Sequence, residues 1–358
     1  METILKKTDL KNIDMNVIKE AARIIKSGGL VAFPTETVYG LGANGLDKEA
    51  SSKIYEAKGR PSDNPLILHI SNTDELKGIV REIPPKAVLI MKAFWPGPLT
   101  LIFNKGDIVP YETTGGLDTV AVRMPNHPVA LKLIEESGVP IAAPSANISG
   151  RPSPTTANHV YEDLNDRIDM IIDGGQVNIG LESTIIDVTG DVPMILRPGY
   201  ITAEMIKKVV GDILYDKVVL ARNKEDIKGN YKPKAPGMKY RHYAPKADFT
   251  MYEGSEGAVI KKINEMIAAN KKENIKTGVI ATDETATLYD SYAQVISLGK
   301  REDEDTIAHN LYGALRNFDS NGIEKIYGET FSGDGFGQAI MNRLTKAAGY
   351  HIENVNDL

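Results

Sequence analysis

The 358-residue sequence predicts an α/β protein of two domains. Its length exceeds the size at which a single hydrophobic core normally stops growing. Its composition, with 42% hydrophobic and 25% charged residues, is typical of a globular protein and excludes a fibrous or disordered chain. Short apolar segments alternate with amphipathic segments in both halves, as strands alternate with helices in α/β proteins.

A helix followed by a strand opens the first predicted domain, residues 1–211. Val17, Ala21 and Ile25 recur at helical spacing, and Gly28-Gly29 provides the expected terminator before an apolar strand at residues 30–33. Further helices are predicted at residues 47–57, 85–94 and 202–210, and further strands at residues 66–70, 120–122, 141–142 and 170–172. Loops rich in glycine and proline, where binding groups tend to lie, are predicted at residues 34–45, 95–98, 144–154 and 197–200.

A linker is predicted at residues 212–246, where the pattern of strands and helices weakens. No acidic residue occurs between Asp226 and Asp248, and residues 232–246 carry five cations together with Tyr240 and His242. Two interpretations fit this composition: a solvated linker, or a lid that closes on an anionic ligand.

The second predicted domain, residues 247–358, is a smaller doubly wound α/β unit. Strands are predicted at residues 277–281 and 293–298, and helices at residues 257–269, 306–318 and 338–348. Gly333, Gly335 and Gly337 favour a structural turn over a phosphate loop, because their spacing does not match GxGxxG and Asp334 lies between them.

Charge and composition narrow the functional classes. The formal net charge of −6 argues against a protein that coats nucleic acid, so any RNA contact has to be local. The absence of cysteine excludes disulfides, thiolate nucleophiles and cysteine-ligated zinc. The N-terminus has no signal-peptide pattern, and the sequence has no apolar span of about 20 residues. We therefore expect a cytoplasmic protein.

Two familiar nucleotide motifs do not apply. Gly40, Gly42 and Gly45 spell GxGxxG, but residues 34–39 separate them from the preceding strand, and the next helix starts only near Asp47. A dinucleotide fingerprint has to lie directly between strand and helix, so we interpret this run as a loop with functional flanks. The sequence also contains no Walker A motif.

Four cations lie in or beside loops that proline stiffens: Lys58, Arg60, Arg123 and Arg197. A guanidinium held at a rigid turn suits a phosphate or carboxylate, which it can bind with paired hydrogen bonds. The alternatives are an anion-binding cleft and a set of ordinary surface cations.

Hydroxyl and amide groups are concentrated at residues 144–147 and 182–184. These segments can form an anion nest, or they can serve as turns and helix caps. A serine hydrolase with His69 or His127 as the base is disfavoured, because neither Ser145 nor Ser183 lies in a G-x-S-x-G elbow.

Seven segments, taken in order, resemble the YrdC-like threonylcarbamoyl-AMP synthases: FPTETVYGLGA (33–43), KGRPSDNPL (58–66), WPGPLT (95–100), TVAVRMPNHP (119–128), APSANISG (143–150), ESTIID (182–187) and LRPG (196–199). APGMKYRHYAP (235–245) and AIMNRLTKAA (339–348) resemble the linker and terminal domain of the long form of that enzyme. The resemblance implies a YrdC-like (DHBP synthase-like) twisted mixed sheet with helices, followed by a smaller Rossmann-like doubly wound domain.

The resemblance also implies an activity. It is the condensation of L-threonine, bicarbonate and ATP to threonylcarbamoyl-AMP, with release of pyrophosphate. A separate transferase then moves the threonylcarbamoyl group to the adenosine beside the anticodon of tRNA.

Site residues are carried over by motif position. The threonine-contacting positions are Thr37, His69, Arg123, Ala143 and Ser183. The ATP-contacting positions are Arg60, Asn64, Thr119, Ser145, Ser153, Arg197 and Tyr240. Lys58 belongs to the same anion-binding loop as Arg60, and these two are the expected catalytic residues. We expect catalysis by positioning and charge stabilisation, with Mg²⁺ held mainly by the nucleotide phosphates.

Two alternatives remain. One is a carbamoyl-adenylate domain like that of hydrogenase-maturation carbamoyltransferases, although those proteins carry cysteine-based zinc modules for which this chain has no residues. The other is a non-catalytic module that binds double-stranded RNA through the same basic surface. Threonine- and bicarbonate-dependent conversion of ATP distinguishes the enzyme from the binding module.

Overall fold

The computed structural model describes residues 2–221, 234–236, 242–331 and 333–355. Within these ranges the chain forms two compact units. The first unit contains residues 2–149, 153–221 and 234–236, and the second contains residues 150–152 together with the described residues from 242 onward. The domain boundaries expected from the sequence, at residues 211 and 246, remain a prediction.

The first unit is built on a mixed sheet, whose strand order within the described residues is β1-β8-β2-β3-β7-β4-β6-β5-β9-β10-β11. The strands are β1 (Ile4–Lys7), β2 (Val31–Phe33), β3 (Gly40–Asn44), β4 (Ile67–His69), β5 (Leu99–Asn104), β6 (Thr119–Arg123), β7 (Ile141–Ala142), β8 (Met170–Asp173), β9 (Thr184–Asp187), β10 (Met194–Arg197) and β11 (Leu214–Tyr215). The central pair β4 and β6 is parallel, whereas β5 pairs antiparallel with β6 and parallel with β9.

Helices cover this sheet and bury its apolar residues. They are α1 (Met15–Lys26), α2 (Lys48–Lys58), α3 (Pro85–Phe94), α4 (Tyr111–Thr114), α5 (Pro128–Ser137), α6 (Ala157–Leu164), α7 (Ala203–Val210) and α8 (Lys217–Leu220). The helix predicted from Val17, Ala21 and Ile25 is α1, which Asp14 caps by accepting a hydrogen bond from the Asn16 N–H. Its buried face packs in one core cluster with residues of α5, β2 and β8.

The glycine run at residues 40–45 is not a loop, contrary to the prediction. Residues 40–44 form β3, which pairs antiparallel with β2. A Cβ at Gly42 would lie 2.7 Å from side-chain atoms of both Phe33 and Ile141. Close packing against these two side chains, rather than strand propensity, therefore accounts for glycine here.

Part of the predicted linker is also ordered into elements. Residues 214–215 form β11, which pairs parallel with β10, and residues 217–220 form α8. Residues 222–233 and 237–241, including Tyr240, lie outside the described residues.

The second unit has an entirely parallel sheet among the described residues, with strand order β14-β13-β15-β12-β16. Its strands are β12 (Asp248–Glu253), β13 (Thr277–Ala281), β14 (Gln294–Ser297), β15 (Lys325–Glu329) and β16 (Ile352–Asn354), and its helices are α9 (Glu256–Lys272), α10 (Glu304–Ser320) and α11 (Gly337–Ala347). A mixed sheet with helices followed by a parallel α/β unit confirms the predicted fold class. No helix in the described ranges is both long and apolar enough to span a bilayer.

Candidate active site

The candidate site lies on one face of the central strands β4, β5 and β6. Successive residues of a strand point to opposite faces of the sheet. Leu68 and Val122 belong to the main core cluster, so their neighbours His69 and Arg123 point to the other face. The register pairs His69 with Arg123 and Arg123 with Thr100, which places these three side chains in one row across the sheet.

A small apolar cluster on this face forms the floor beside that row. Its buried members are Ile67, Ile102, Ala121, Ile185, Leu196, Val218 and Ala235. Ala235 comes from the predicted linker, and its neighbour Lys234 forms an ion pair of 2.8 Å with Asp187. Residues 234–236 of the linker therefore pack against the face that carries the candidate site.

The Arg123 guanidinium is buried and held from three sides. Its Nη1 donates to the Thr37 hydroxyl at 2.9 Å, its Nε donates to the Gly97 carbonyl at 3.4 Å, and its Nη2 lies 2.7 Å from Glu36 Oε1. The contact with Glu36 is an ion pair rather than an aligned hydrogen bond, because neither Nη2 nor Glu36 Oε1 has a hydrogen-bond partner of acceptable geometry. A guanidinium fixed in this way is suited to binding a carboxylate.

A chain of hydroxyl groups fixes the orientation of Thr37. The Thr35 hydroxyl donates to the Val38 carbonyl at 2.7 Å, so it has to accept from the Thr37 hydroxyl, which lies 2.9 Å away. Thr37 Oγ1 thus accepts from Arg123 and donates to Thr35. This arrangement leaves acceptor capacity on Thr37 for a ligand.

Two buried histidines flank Arg123, and both are neutral at pH 7. Burial, reinforced by the Arg123 charge, lowers the pKa of His69 to about 3. Burial lowers the pKa of His127 to about 4, with the Glu36 charge opposing the shift and the Arg123 charge adding to it. His69 Nδ1 lies 3.0 Å from the Ile67 carbonyl, which accepts a hydrogen bond when Nδ1 carries the proton of the neutral ring.

A second buried guanidinium, Arg197, lies beside Ser183. Its Nη2 donates to the Ser183 hydroxyl at 3.2 Å, and its Nε donates to the Ser183 carbonyl at 3.1 Å. Ser183 Oγ also lies 2.8 Å from the hydroxyl of Thr100. Because Thr100 is the cross-strand neighbour of Arg123, Ser183 and Thr100 lie between the two guanidinium groups on this face.

Lys58 ends α2 and is almost completely buried. Its ammonium donates to the carbonyl oxygens of Ser145 and Asn147, and its own carbonyl accepts from the Ser149 N–H at 2.9 Å. The Ser145 hydroxyl in turn donates to the Asn147 side chain. Lys58 therefore fixes the conformation of the loop at residues 144–149.

Arg60, Asn64 and Thr119 form a separate group at the opposite end of β4 and β6. The Arg60 guanidinium donates to the carbonyls of Asn64 at 3.2 Å and Pro65 at 3.0 Å. Thr119 starts β6 and Arg123 ends it, on the same face and four residues apart. This separation corresponds to about 13 Å along a strand. A ligand that contacts both groups has to extend along β6.

Three sequence-predicted residues remain. Ala143 is buried beside the row, and its N–H donates to the Ile67 carbonyl at 2.9 Å. Ser153 is buried and donates to the carboxylate of Glu182, which precedes Ser183. Tyr240 lies outside the described residues.

Sequence reasoning missed Glu36, Thr100 and Glu182 as members of the site. Each lies inside one of the seven motifs. Glu36 precedes Thr37, Glu182 precedes Ser183, and Thr100 is the last residue of WPGPLT. The sequence carries no signal for them, because only the folded chain brings Glu36 to Arg123 and Glu182 to Ser153, and only the strand register brings Thr100 to Arg123.

The described residues contain no group of three or more carboxylate or imidazole side chains arranged to hold a metal ion. Divalent cations such as Mg²⁺ otherwise take their oxygen ligands from substrate phosphates and water.

Both units match known protein families. A family described as "Telomere recombination" matches residues 23–199, and one described as "Threonylcarbamoyl-AMP synthase, C-terminal domain" matches residues 201–349. The threonylcarbamoyl-AMP synthase of Pyrococcus abyssi is 52% identical, over 94% of this chain and 96% of its own length. The threonylcarbamoyl-AMP synthase of Bacillus subtilis is 50% identical, over 94% of each chain.

The fold is also similar to that of a solved structure. The crystal structure of P. abyssi Sua5 complexed with L-threonine aligns with a TM-score of 0.92 and 51% identity, covering 99% of this chain and 100% of that chain. The similarity in sequence and fold therefore extends over both units.

Proposed function

The chain belongs to the threonylcarbamoyl-AMP synthase family, and we propose that it condenses L-threonine, bicarbonate and ATP to threonylcarbamoyl-AMP and pyrophosphate. The observation that carries this proposal is the pair of buried guanidinium groups, Arg123 and Arg197, on one face of the sheet. Thr100 pairs with Arg123 in the strand register, and Ser183 hydrogen-bonds to Thr100 and Arg197. The reaction brings the carboxylate of threonine close to the phosphates of ATP, and two fixed cations on one face match these two anionic groups.

In the threonine subsite, Arg123 binds the substrate carboxylate. Thr37, whose hydroxyl keeps acceptor capacity, and Ser183 orient the amino acid beside it. His69 is neutral, so it contributes shape and hydrogen bonding rather than charge. Ala143 completes the subsite with its backbone and small side chain.

The ATP subsite extends along the same face. Its contacting residues are Arg60, Asn64, Thr119, Ser145, Ser153, Arg197 and Tyr240. Arg197 and Arg60 offset the phosphate charge. Lys58 acts on the same phosphates together with the loop that its ammonium holds, since Ser145 lies on that loop.

The chemistry requires positioning more than proton transfer. The threonine ammonium loses one proton to solvent, and its nitrogen forms a bond to the carbon of carbon dioxide, which bicarbonate supplies with loss of hydroxide. The hydroxide takes a second proton from the nitrogen and leaves as water, giving a carbamate. A carbamate oxygen then attacks the α-phosphorus, and the bond from that phosphorus to the bridging oxygen breaks as pyrophosphate leaves. Fixed cations stabilise the charge on the transferring phosphoryl group. Mg²⁺ would be held mainly by the phosphates of ATP and by water, and its charge would help to offset the phosphate charge.

We assign the basic linker the role of a lid. The support for this role is that Ala235 is buried in the apolar floor and that the Pro236 carbonyl lies 3.5 Å from Arg197 Nη1. A lid excludes water from the carbamate and the mixed anhydride, both of which water would destroy.

The wider setting follows from the product. Threonylcarbamoyl-AMP is an activated acyl donor, so a separate transferase has to consume it and modify the adenosine beside the anticodon of tRNA. We place the reaction in the cytoplasm, with only weak contact between this chain and RNA. The catalytic domain comprises residues 1–211, the lid residues 212–246 and the C-terminal domain residues 247–358.

The test combines product identification with substrate-specific kinetics. Mass spectrometry should detect threonylcarbamoyl-AMP formed from ATP, bicarbonate and threonine, with pyrophosphate release that depends on threonine. Arg123→Ala should raise the KM for threonine by at least about 30-fold, because a buried charge partner is removed. Arg60→Ala should raise the KM for ATP instead.

Arg23→Ala is the matched control, since Arg23 is an exposed arginine on α1 outside the site. It should keep the wild-type constants. Absence of threonylcarbamoyl-AMP from the folded protein would overturn the proposal. Unchanged constants in both site variants would overturn the residue assignments alone.

A further inference from the structure

We propose that Glu36 determines which charge type the threonine subsite accepts, by making the buried subsite electrically neutral so that it selects a zwitterionic amino acid over a simple carboxylate. The inference deepens the proposed function, because it takes Arg123 as the receptor for the substrate carboxylate.

Glu36 is buried beside Arg123. The residue is 6% exposed, and both of its carboxylate oxygens are inaccessible to water. Oε1 lies 2.7 Å from Arg123 Nη2, and neither oxygen has a hydrogen-bond partner within the described residues. A buried carboxylate with this single contact acts on the site mainly through its charge.

The charges around Arg123 balance. Arg123 and Glu36 contribute one charge of each sign, and the two histidines that face them, His69 and His127, are neutral at pH 7. Ser183 brings a further opposite pair: Arg197 binds its side chain, and Glu182 precedes it in the chain.

A neutral buried subsite discriminates between ligands by their net charge. Zwitterionic threonine brings one carboxylate and one ammonium group, so it leaves the net charge of the subsite unchanged. The same molecule without its amino group, 3-hydroxybutyrate, leaves one negative charge uncompensated. In a buried environment an uncompensated charge weakens binding strongly.

The test compares these two ligands by calorimetry in wild-type protein, Glu36→Gln and Glu36→Asp. The wild type should bind L-threonine at least about tenfold more tightly than 3-hydroxybutyrate. Glu36→Gln should reduce the ratio of the two dissociation constants by about tenfold, which is the size expected for one nearby charge at intermediate dielectric. Most of the change should be tighter binding of 3-hydroxybutyrate. Glu36→Asp, which keeps the charge, should retain the wild-type preference.

Glu135→Gln is the control, since it removes an exposed carboxylate of α5 that pairs with Lys132. It should leave the ratio unchanged. A merely structural role for Glu36 predicts equal weakening of both ligands in Glu36→Gln, and that result would overturn the inference. If Glu36→Gln does not fold, two other results would overturn the inference. One is that the wild type binds both ligands equally well, and the other is that Glu36→Asp loses the preference for threonine.

Arg123→Ala separates this inference from the function on which it rests. If Arg123→Ala binds threonine as tightly as wild type, the threonine subsite itself is wrongly assigned. If Arg123→Ala loses both ligands while Glu36→Gln keeps the wild-type ratio, the subsite stands and only the role of Glu36 fails.

Discussion

At the scale of single residues, the site depends on side chains that are fixed before any substrate binds. Arg123 and Arg197 are each at most 5% exposed, and both are held by neighbouring oxygens. Immobilising an arginine side chain lowers its conformational entropy, and here that loss occurs on folding and not on substrate binding. Binding energy from the substrate can then be used to align the reacting groups.

The buried histidines predict how stability depends on pH. Both native pKa values, about 3 for His69 and about 4 for His127, lie below the ordinary value of 6.5. Between the ordinary pKa of 6.5 and the native pKa values, the unfolded chain therefore binds more protons than the folded chain, and the free energy of unfolding falls as the pH drops through this range. Between pH 7.5 and 5.5 each histidine should lower the free energy of unfolding by about 1.4 kcal/mol.

Urea unfolding followed by the fluorescence of Trp95, the single tryptophan, would measure this loss in the first unit. The variant His69→Gln should lose about half as much stability as wild type over the same pH range. His351→Gln, which changes an exposed histidine of the second unit, is the control and should behave as wild type. An undiminished loss in His69→Gln would contradict the neutral, buried His69.

At the scale of elements, strand register and helix ends place the functional residues. Parallel pairing of β4 with β6 aligns His69 with Arg123, and antiparallel pairing of β5 aligns Thr100 with the same residue. Helix α2 ends at Lys58, and Gly59 at φ 59° allows the chain to turn toward Arg60. The left-handed conformation at Gly59 thus separates the buried lysine from the partly exposed arginine.

The N-terminus of α2 should contribute measurably to stability. The Asp47 side chain accepts hydrogen bonds from the N–H groups of Glu49 and Ala50. Asp47→Ala should lower the free energy of unfolding by about 1 kcal/mol, because it leaves these donors uncapped. Thermal unfolding of the variant measures the effect. Lys48→Ala, at an exposed position of the same helix turn, should change stability little, and an equal loss in both variants would argue against the cap.

At the scale of the whole molecule, each unit has its own hydrophobic core. The first unit contains the clusters that cover its mixed sheet. The second contains a separate cluster in which α9 packs on β13 and β15. Separate cores predict that damage to one unit remains local.

Ile263→Ala tests this prediction, since Ile263 is fully buried in α9. The substitution should cost about 2–5 kcal/mol, the range for a large-to-small change in a core. Hydrogen exchange should accelerate in β12 and β13 and stay unchanged in β4 and β6. Lys261→Ala, an exposed position on α9, is the control. Equal acceleration in both units would mean that the chain unfolds as one cooperative body.

The fold class, most of the long helices and the family resemblance follow from the sequence alone. Amphipathic spacing, as in Val17, Ala21 and Ile25 of α1, depends only on local helical geometry, so it can be read without knowing the fold. The motif order likewise required no coordinates. Strand β3 was missed because its glycines fit a packing constraint from Phe33 and Ile141, which local propensity does not encode.

Which of these residues come into contact depends on the tertiary structure. Arg123 contacts Thr37 across 86 positions of sequence, and Lys58 contacts Ser145 across 87. Such contacts depend on strand order and register, which result from packing the whole sheet rather than from any local pattern. For the same reason the partnership of Glu36 with Arg123, on which the charge balance of the subsite depends, was visible only in the folded chain.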